Sequence, residues 1–281
     1  MTYNDICHRL TPLYGQDEAR AMARMLLEEL THLTFADILC GGASLLPDGQ
    51  QERIDTAVAR LEQGEPLQYV LGQCQFCGHT FGVAPGVLIP RPETEWLATS
   101  AAALAAGHGT RALDIGTGSG CIAASIALDS AAGTYVEAWD ISPDALDIAR
   151  RNAMRLGADV TFRLRDALAL PQEPCSWDII VSNPPYICHR ERAAMAGNVL
   201  DHEPHQALFV PDDDPLLFYR AIASYASTAL RPGGTLLMEC NTLYVDDTAR
   251  LAAGAGLTSV ATAPDCFGKP RFVSATRGYD I

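Results

Sequence analysis

Arg-Ala-Leu-Asp-Ile-Gly-Thr-Gly-Ser-Gly, residues 111–120, joins an apolar strand to a glycine-rich loop, and a helical stretch begins at Cys121. Such a loop is typical of the ligand crevice of an open α/β sheet, because glycine lets the backbone approach a ligand closely. The spacing is G-x-G-x-G, whereas the dinucleotide fingerprint G-x-G-x-x-G needs glycine at position 121. The loop therefore favours a compact nucleoside ligand over a pyrophosphate, with a simple tight turn as the alternative.

The segments that follow this loop predict the rest of a sheet. Helical segments separate most of the apolar ones, which implies right-handed crossovers and a doubly wound, mostly parallel α/β sheet. The last two strands are joined without a helix, so we expect them to pair antiparallel at one edge. A helix at 215–230 is predicted to end in the Arg-Pro-Gly-Gly run at 231–234. The seven predicted strands are 111–115, 135–139, 160–164, 177–181, 235–239, 257–263 and 272–276.

The chain before the sheet divides into a helical part and a linker. Apolar residues recur at i, i+3, i+4 and i+7 from Ala19 to Leu30, the pattern of a helix with one buried face. Residues 1–65 therefore predict a small helical domain. Residues 66–91 predict a β-hairpin linker, and residues 92–281 the α/β domain.

Two acids follow successive predicted strands. Asp140 lies about 20 residues beyond the glycine loop, where a carboxylate accepts hydrogen bonds from the hydroxyls of an adenosine ribose. Asp166 ends the next strand and is placed to accept from the adenine amino group. One such acid is often only a helix cap, as Asp140 is a candidate to be for the helix that begins at Pro143. Two acids beside a glycine loop favour adenosine, and the arrangement resembles the seven-stranded S-adenosylmethionine (SAM) methyltransferases.

A second motif, Asn183-Pro184-Pro185-Tyr186, follows the fourth predicted strand. A planar NH2 group is a poor nucleophile because its lone pair is delocalised. The Asn183 side-chain oxygen and the Pro184 carbonyl can each accept one of its N–H bonds, while the prolines keep both acceptors rigid. Tyr186 can stack on the planar group, and a cationic methyl donor removes the need for a strong base. The motif serves both exocyclic amines of DNA bases and amides of protein glutamine, and a stiff turn is the simplest alternative.

Composition narrows the class of partner. The net charge of −14, from 34 acids and 20 bases, argues against stable binding to nucleic acid through its backbone; it favours solubility or a basic protein partner. No run approaches the ~18 apolar residues of a membrane span, and the first residues lack a secretory pattern. We therefore expect a cytoplasmic protein without membrane contact.

The cysteines do not predict a metal or redox site. There are nine, and their odd number and scatter indicate reduced thiols. Cys74-x-x-Cys77 has metal-ligand spacing, but no second pair completes four zinc ligands. No metal is expected.

Taken together, these motifs resemble the protein-(glutamine-N5) methyltransferases that modify peptide chain release factors, the PrmC/HemK family. The resemblance covers nearly the whole chain, and its most distinctive blocks are Ile89 to Glu95 and Glu203-Pro204. The other matching blocks are 66–72, 113–120, 183–187, 207–209 and 230–234.

The resemblance implies a SAM-binding α/β domain and a helical N-terminal domain that docks the release factor. The substrate it implies is the glutamine of a Gly-Gly-Gln tip. We also expect the enzyme to be a monomer. Arg91 and Glu93 are expected to shape the site entrance. The residues expected around the cofactor are Gly116, Thr117, Gly118, Ser119, Gly120, Asp140, Asp166, Ala167 and Asn183; those expected at the glutamine amide, as catalytic and substrate-binding residues, are Asn183, Pro184, Pro185 and Tyr186.

The chain departs from the family pattern at several points. Ala167 stands where an aromatic often packs on adenine, Cys240-Asn241 lacks a usual glycine, and acids at 212–214 replace a glycine-rich loop. A related enzyme class methylates a ribosomal protein glutamine with the same chemistry. A DNA adenine methyltransferase would need a basic face that the acidic chain does not suggest, and the intact motifs argue against a catalytically silent binding module.

Overall fold

A computed structural model describes residues 1–279. The described chain forms two compact units. The first contains Met1–Gln73 and Ala196–His202, and the second contains Cys74–Met195 and the chain from Glu203 onward. The domain bounds predicted above differ from this division, since residues 66–72 lie with the helices and a short segment from the middle of the chain joins them.

The first unit is helical. Its helices pack around a core that includes Leu10, Leu26 and Leu61, all fully buried. Both α1 and α3 begin with a capping box, in which Thr2 pairs with Asp5 and Thr34 with Asp37. The helices are α1 Tyr3–Tyr14, α2 Gln16–Thr31, α3 Phe35–Leu39, α4 Asp48–Glu62 and α5 Leu67–Leu71, with a 3-10 turn at Gly42–Leu45 and α9 Gly197–His202 from later in the chain.

The segment that contains α9 belongs to the helical unit. A Cβ built on Gly64 would lie 4.0 Å from the imidazole Nε2 of His202, an ordinary van der Waals distance. The pKa of Glu65 is lowered, mainly by its hydrogen bonds from Arg60 and to a smaller extent by His202. The unit is therefore built from two separate stretches of sequence.

The second unit is a doubly wound sheet with helices on both faces. Its strands and helices are β1 Gln73–Phe76, β2 His79–Gly82, α6 Glu95–Leu104, β3 Arg111–Ile115, α7 Cys121–Asp129, β4 Tyr135–Asp140, α8 Pro143–Leu156, β5 Val160–Leu164, β6 Trp177–Ser182, β7 Ile187–Cys188, α10 His205–Leu208, β8 Phe209–Val210, α11 Leu217–Ala229, β9 Leu230–Glu239, α12 Val245–Gly254, β10 Leu257–Pro264 and β11 Pro270–Arg277, with 3-10 turns at Pro92–Thr94 and His189–Ala194.

The predicted seven-stranded sheet is confirmed. The strand order is β10-β11-β9-β6-β3-β4-β5, with β10 and β11 antiparallel at one edge and the other five strands parallel to one another. Alternate residues of each strand enter opposite cores: Leu113 packs with α11 and α12, whereas Ala112 packs with α6 and α7. This period of two is the reason that both faces are covered.

Register brings the two sequence motifs to the same edge of the sheet. Ile115, at the end of β3, lies opposite Trp139 in β4 and opposite Ser182 in β6. Because the strands are parallel, the loops that follow them begin side by side. The glycine loop, Asp140 and Asn183 therefore emerge next to one another.

One local prediction needs correction, and one pair of strands was not predicted. Residues 231–234 do not close α11, which ends at Ala229; they lie inside β9, where the register with β6 shifts between Leu230 and Thr235. They form a bulge, and Gly233 has the positive φ of 82° that such a bulge uses. The short parallel pair β7–β8 was also not predicted, because two-residue strands carry no periodic pattern.

None of the helices within residues 1–279 is both long enough and apolar enough to span a bilayer.

Candidate active site

A cavity of about 400 Å³ lies at the carboxyl ends of the parallel strands. It is centred on β3, whose neighbours β4 and β6 are reached by crossovers in opposite directions, the place where open α/β sheets bind ligands. Its volume falls in the usual range for a small-molecule site. The predicted site residues that line it are Gly116, Gly118, Asp140, Asp166, Ala167, Asn183, Pro184 and Pro185.

The glycine loop presents its backbone to this cavity. Gly116 and Gly118 have positive φ, and a Cβ built on either would meet nothing within 4 Å, because it would stand in the open cavity. The other predicted loop residues support the loop from behind. Thr117 and Ser119 are buried, and the Thr117 hydroxyl donates to Asp114 Oδ2 (2.6 Å). Gly120 lies against α8, where a Cβ would come within 2.9 Å of the Ala149 Cβ.

Asp140 holds the loop as well as facing the cavity. Its Oδ2 accepts from the Gly118 N–H and its Oδ1 from the Ser142 N–H, both at 2.9 Å. The cap of α8 is the Ser142 hydroxyl, which accepts from the Ala145 N–H. Burial raises the pKa of Asp140, and the backbone N–H groups of Ser142 and Gly118 oppose that shift. The carboxylate keeps lone pairs for hydroxyl donors in the cavity.

We expect Asp140→Ala to weaken SAM binding by about tenfold to a hundredfold, since a charge-assisted hydrogen bond contributes roughly 1.5–3 kcal/mol. Titration calorimetry measures this directly. Ser142→Ala is the control for the helix cap, because it removes the cap of the same helix and keeps the carboxylate, although Ser142 also lines the cavity. Unchanged affinity in Asp140→Ala would reduce Asp140 to a structural residue.

Asp114 lies fully buried behind the loop. Its Oδ1 makes no hydrogen bond, and the Ala123 N–H lowers the pKa of the carboxyl group only slightly. Burial, and to a smaller extent the neighbouring charge of Asp140, raise the pKa of Asp114 to about 7, although the Thr117 hydroxyl favours the ionised form. Of the two carboxyl groups only Asp140 lines the cavity, where a positive charge on a ligand would favour its ionised form.

The stability of the unliganded protein should therefore depend on pH through Asp114. In the unfolded chain an aspartate loses its proton near pH 3.9, whereas in the folded chain Asp114 keeps it until about pH 7. Between these values the folded state binds more protons, so the stabilisation present below pH 4 is lost as the pH rises, by about 1.4 kcal/mol per pH unit. Denaturant unfolding of wild type and Asp114→Asn from pH 4 to 8 measures the difference. Parallel curves would contradict the assignment.

The apolar wall of the cavity includes residues that sequence reasoning missed. It contains Ile141, Leu168, Leu170 and Phe218. Asp166, on the same side, accepts from the Leu168 N–H through Oδ1 (2.8 Å). Phe218 supplies an aromatic ring to the cavity that Ala167 also lines. It comes from α11, far along the chain, and no local motif marks it.

The Asn-Pro-Pro-Tyr segment forms the opposite wall. The Ser182 hydroxyl donates to the Ile115 carbonyl (2.6 Å), which ties the start of the segment to β3. The Asn183 Nδ2 donates to Thr94 Oγ1 (3.2 Å). One N–H of the amide thus donates to the protein, and the side-chain oxygen is the atom that can accept a hydrogen bond from a ligand.

Tyr186, which is predicted to stack on the substrate, is not among the residues that line the cavity. Its ring packs against the core beneath α11, and its hydroxyl donates to Glu239 Oε1 (3.1 Å). Burial, and then the charge of Glu239, raise its pKa, so the phenol keeps its proton. Its carbonyl accepts from Asn241 Nδ2 (3.2 Å). The tyrosine holds the segment in place from behind.

Two further segments border the cavity. Residues 86–88 line it on one side, and Pro204, Gln206 and Ala207 on another. Glu203, almost fully buried, joins them: it accepts from the Ile89 N–H (3.1 Å) and from the Arg91 guanidinium. Arg91, expected at the site entrance, is thus held by an ion pair in the same unit.

Two known families match this chain, one at each of two successive stretches. Residues 4–72 match the family described as PrmC N-terminal domain, and residues 95–209 match the methyltransferase small domain. The structure also resembles a SAM-dependent O-methyltransferase from Thermotoga maritima, with 16% identity, coverage of 70% of this chain and 68% of that one, and a TM-score of 0.48.

Curated relatives match over nearly the full length. The release factor glutamine methyltransferase of Bacteroides thetaiotaomicron is 44% identical over 95% of this chain and 96% of its own. Those of Flavobacterium psychrophilum and Cereibacter sphaeroides are 35% and 40% identical, over 94% and 93% of this chain and 94% and 92% of their own. With these identities over whole chains, and with a glycine loop and an Asn-Pro-Pro-Tyr segment facing one cavity, this chain belongs to the release factor glutamine methyltransferases.

Proposed function

We propose that this chain transfers a methyl group from SAM to the side-chain amide nitrogen of a glutamine in a peptide chain release factor. The observation that carries the proposal is the orientation of Asn183. Its NH2 group is bonded to Thr94, so its oxygen is the atom available to accept a hydrogen bond at the cavity wall, beside Pro184. Two neighbouring acceptors suit a substrate with two N–H bonds on one nitrogen.

The cofactor site fits SAM by its chemistry. Asp140 offers acceptors for ribose hydroxyls, the open faces of Gly116 and Gly118 admit a close ligand, and the apolar wall suits an adenine ring. When bound, SAM supplies an electrophilic methyl group on a sulfonium, whose sulfur keeps the electron pair of the broken bond.

The residues of the chain then act on the amide. Asn183 Oδ1 and the Pro184 carbonyl accept its two N–H bonds, hold the nitrogen in line and draw electron density toward it. The nitrogen gives the electron pair for the new C–N bond and releases one proton to solvent. Both acceptors are set on rigid backbone, so little ordering remains for the reaction to require.

We propose further that the glutamine is the one at a Gly-Gly-Gln tip. A clamp at the wall of a cleft admits a side chain only from the end of a protruding loop, and glycines before it carry no side chain to obstruct the approach. The test is methyl transfer from labelled SAM to intact release factor, its Gln→Ala tip variant, ribosomal protein and DNA, side by side. Label in the intact factor alone is the expected result. Label that persists in the tip variant, or appears mainly in ribosomal protein or DNA, would overturn it.

We infer that the helical unit docks the release factor. The unit has a core of its own, and residues 4–72 match a distinct N-terminal domain. Binding energy from a remote surface can raise turnover by orienting the reacting group.

For a chain that begins at Gly72, just before β1, we expect SAM affinity to persist. Turnover of intact release factor should fall by about tenfold or more, while turnover of a short Gly-Gly-Gln peptide should be equally low for both chains. Circular dichroism and SAM titration establish that the shortened chain is folded. If it then modifies intact release factor as fast as the full chain, the docking role is wrong.

We propose also that the enzyme acts as a monomer in the cytoplasm, where release factors work, and binds no nucleic acid stably. The net charge of −14 supports the last point.

A further inference from the structure

Behind the amide clamp lies a buried pair of residues that the reaction does not touch. Thr94, 3% exposed, precedes α6, and Glu239, 1% exposed, ends β9. The Thr94 hydroxyl donates to Glu239 Oε2 (2.7 Å), and its oxygen accepts from Asn183 Nδ2 (3.2 Å). A chain of hydrogen bonds thus runs from the carboxylate through Thr94 to the side chain expected to hold the substrate.

The other groups around Glu239 are donors. Tyr186 donates its hydroxyl to Oε1 (3.1 Å), and the Arg271 guanidinium lies 4.0 Å from the same oxygen. Arg271 is itself fixed by Asp265 (2.8 Å). Burial raises the pKa of Glu239, whereas Thr94, Arg271 and Tyr186 each favour the ionised form. Glu239 therefore acts as an acceptor for every partner it has in this network.

This acceptor sets the direction of the whole chain of bonds. A carboxylate can only accept, so the single hydroxyl proton of Thr94 must point toward Glu239. Only lone pairs of the Thr94 oxygen then remain for Asn183. An asparagine amide can meet lone pairs only with its NH2 group, so its oxygen must point away from Thr94, toward the cavity.

We propose that Thr94 and Glu239 are positioning residues that fix the orientation of the Asn183 amide, so that the site presents two acceptors and selects a substrate NH2 group. This inference rests on the proposed function. With the opposite orientation, Asn183 would offer N–H donors to the substrate, and a glutamine amide nitrogen would meet a donor instead of an acceptor. A carboxylate side chain would then be favoured over an amide.

The central test compares Thr94→Val, which keeps the shape and removes the hydroxyl, with Thr94→Ser, which restores it. In Thr94→Val we expect kcat on release factor to fall by about tenfold, the loss of one well-placed hydrogen bond. SAM affinity should stay within about twofold, and the KM for release factor should change little. Thr94→Ser should recover most of kcat. Equal losses in the two variants, or none in Thr94→Val, would overturn the inference.

A double-mutant cycle separates positioning from stability. If Thr94 acts through Asn183, Thr94→Val should have almost no further effect on turnover when added to Asn183→Ala. If turnover in the double variant instead falls by the product of the two single losses, Thr94 acts independently of the clamp. Glu239→Gln is a second probe: a glutamine can donate to Thr94, so the hydroxyl can turn toward Asn183 and kcat should fall as in Thr94→Val. Normal kcat in Glu239→Gln would contradict the role of the carboxylate.

A readout that needs no substrate distinguishes this inference from the proposed function. The side-chain ¹⁵N–¹H2 signals of Asn183 are assigned by their disappearance in Asn183→Ala. In wild type and Thr94→Ser they should show a hydrogen-bonded proton that exchanges slowly with water, and in Thr94→Val this protection should be lost. Unchanged signals in Thr94→Val would refute the positioning role even if release factor is methylated. Wild type that does not methylate release factor would refute the proposed function while leaving this measurement intact.

Discussion

Turnover of release factor is expected to fall by about 10²–10³-fold in Asn183→Ala, the largest loss that a single side chain of this site should produce. The substitution removes one of the two acceptors on the reacting NH2 group. Loss of a preorganised hydrogen bond to the reacting centre costs about 3–4 kcal/mol. Single-turnover methyl transfer from labelled SAM measures the chemical step without product release.

The same variant should leave the cofactor site nearly intact. Asn183 lines the cavity, but the carboxylate of Asp140 and the open backbone of the glycine loop do not depend on its side chain. SAM affinity is therefore expected to change only a few-fold. Asp140→Ala should show the reverse pattern, with weak SAM binding and turnover restored at saturating SAM. Near-normal turnover in Asn183→Ala would falsify the clamp.

The second large effect is expected at the end of the glycine loop. In Gly120→Ala, the new Cβ would stand 2.9 Å from the Ala149 Cβ and 3.1 Å from its Cα, on a backbone with φ of +80°. The left-handed conformation costs an alanine about 1–2 kcal/mol, and overpacking against a fixed helix adds roughly 1–3 kcal/mol. The free energy of unfolding should thus fall by about 2–5 kcal/mol. Because the loop must move away from α8, SAM affinity should fall with it.

Gly157→Ala is the matched control for this prediction. Gly157 ends α8 with φ of +72°, and a Cβ there would meet nothing within 4 Å. In Gly157→Ala, the free energy of unfolding should fall only by the cost of the left-handed conformation, about 1–2 kcal/mol. Its SAM affinity should not change. Equal destabilisation of the two variants would show that contact with Ala149 contributes nothing.

The sheet could be predicted because its signals are local. Each strand is an apolar run, most crossover helices carry their own pattern, and a parallel sheet aligns strand ends, so the glycine loop, Asp140 and Asn183 could be placed together from the sequence alone. What escaped prediction lacks a local signal. Phe218 faces the cavity from a helix whose pattern looks like ordinary core, and residues 231–234 look like a turn although they bulge within a strand.

The network behind the clamp shows a different limit. Thr94 lies in a block that could be singled out by resemblance, and Glu239 ends a predicted strand, but no spacing predicts that residues so far apart in sequence share a hydrogen bond. The hydrogen bond of Tyr186 could not be predicted for a related reason. A tyrosine beside two prolines suggests stacking on a planar substrate, whereas its buried hydroxyl needed a partner and found Glu239.

The helical unit has a consequence for the order of synthesis. Its first stretch ends at Gln73, but residues 196–202 also belong to it, and they leave the ribosome about 130 residues later. At about 5–20 residues per second this is a delay of roughly 6–26 s. During that time the nascent unit lacks the helix that carries His202, while the strands of the sheet are being made. The unit at the start of the chain is thus completed only when most of the second unit has been synthesised.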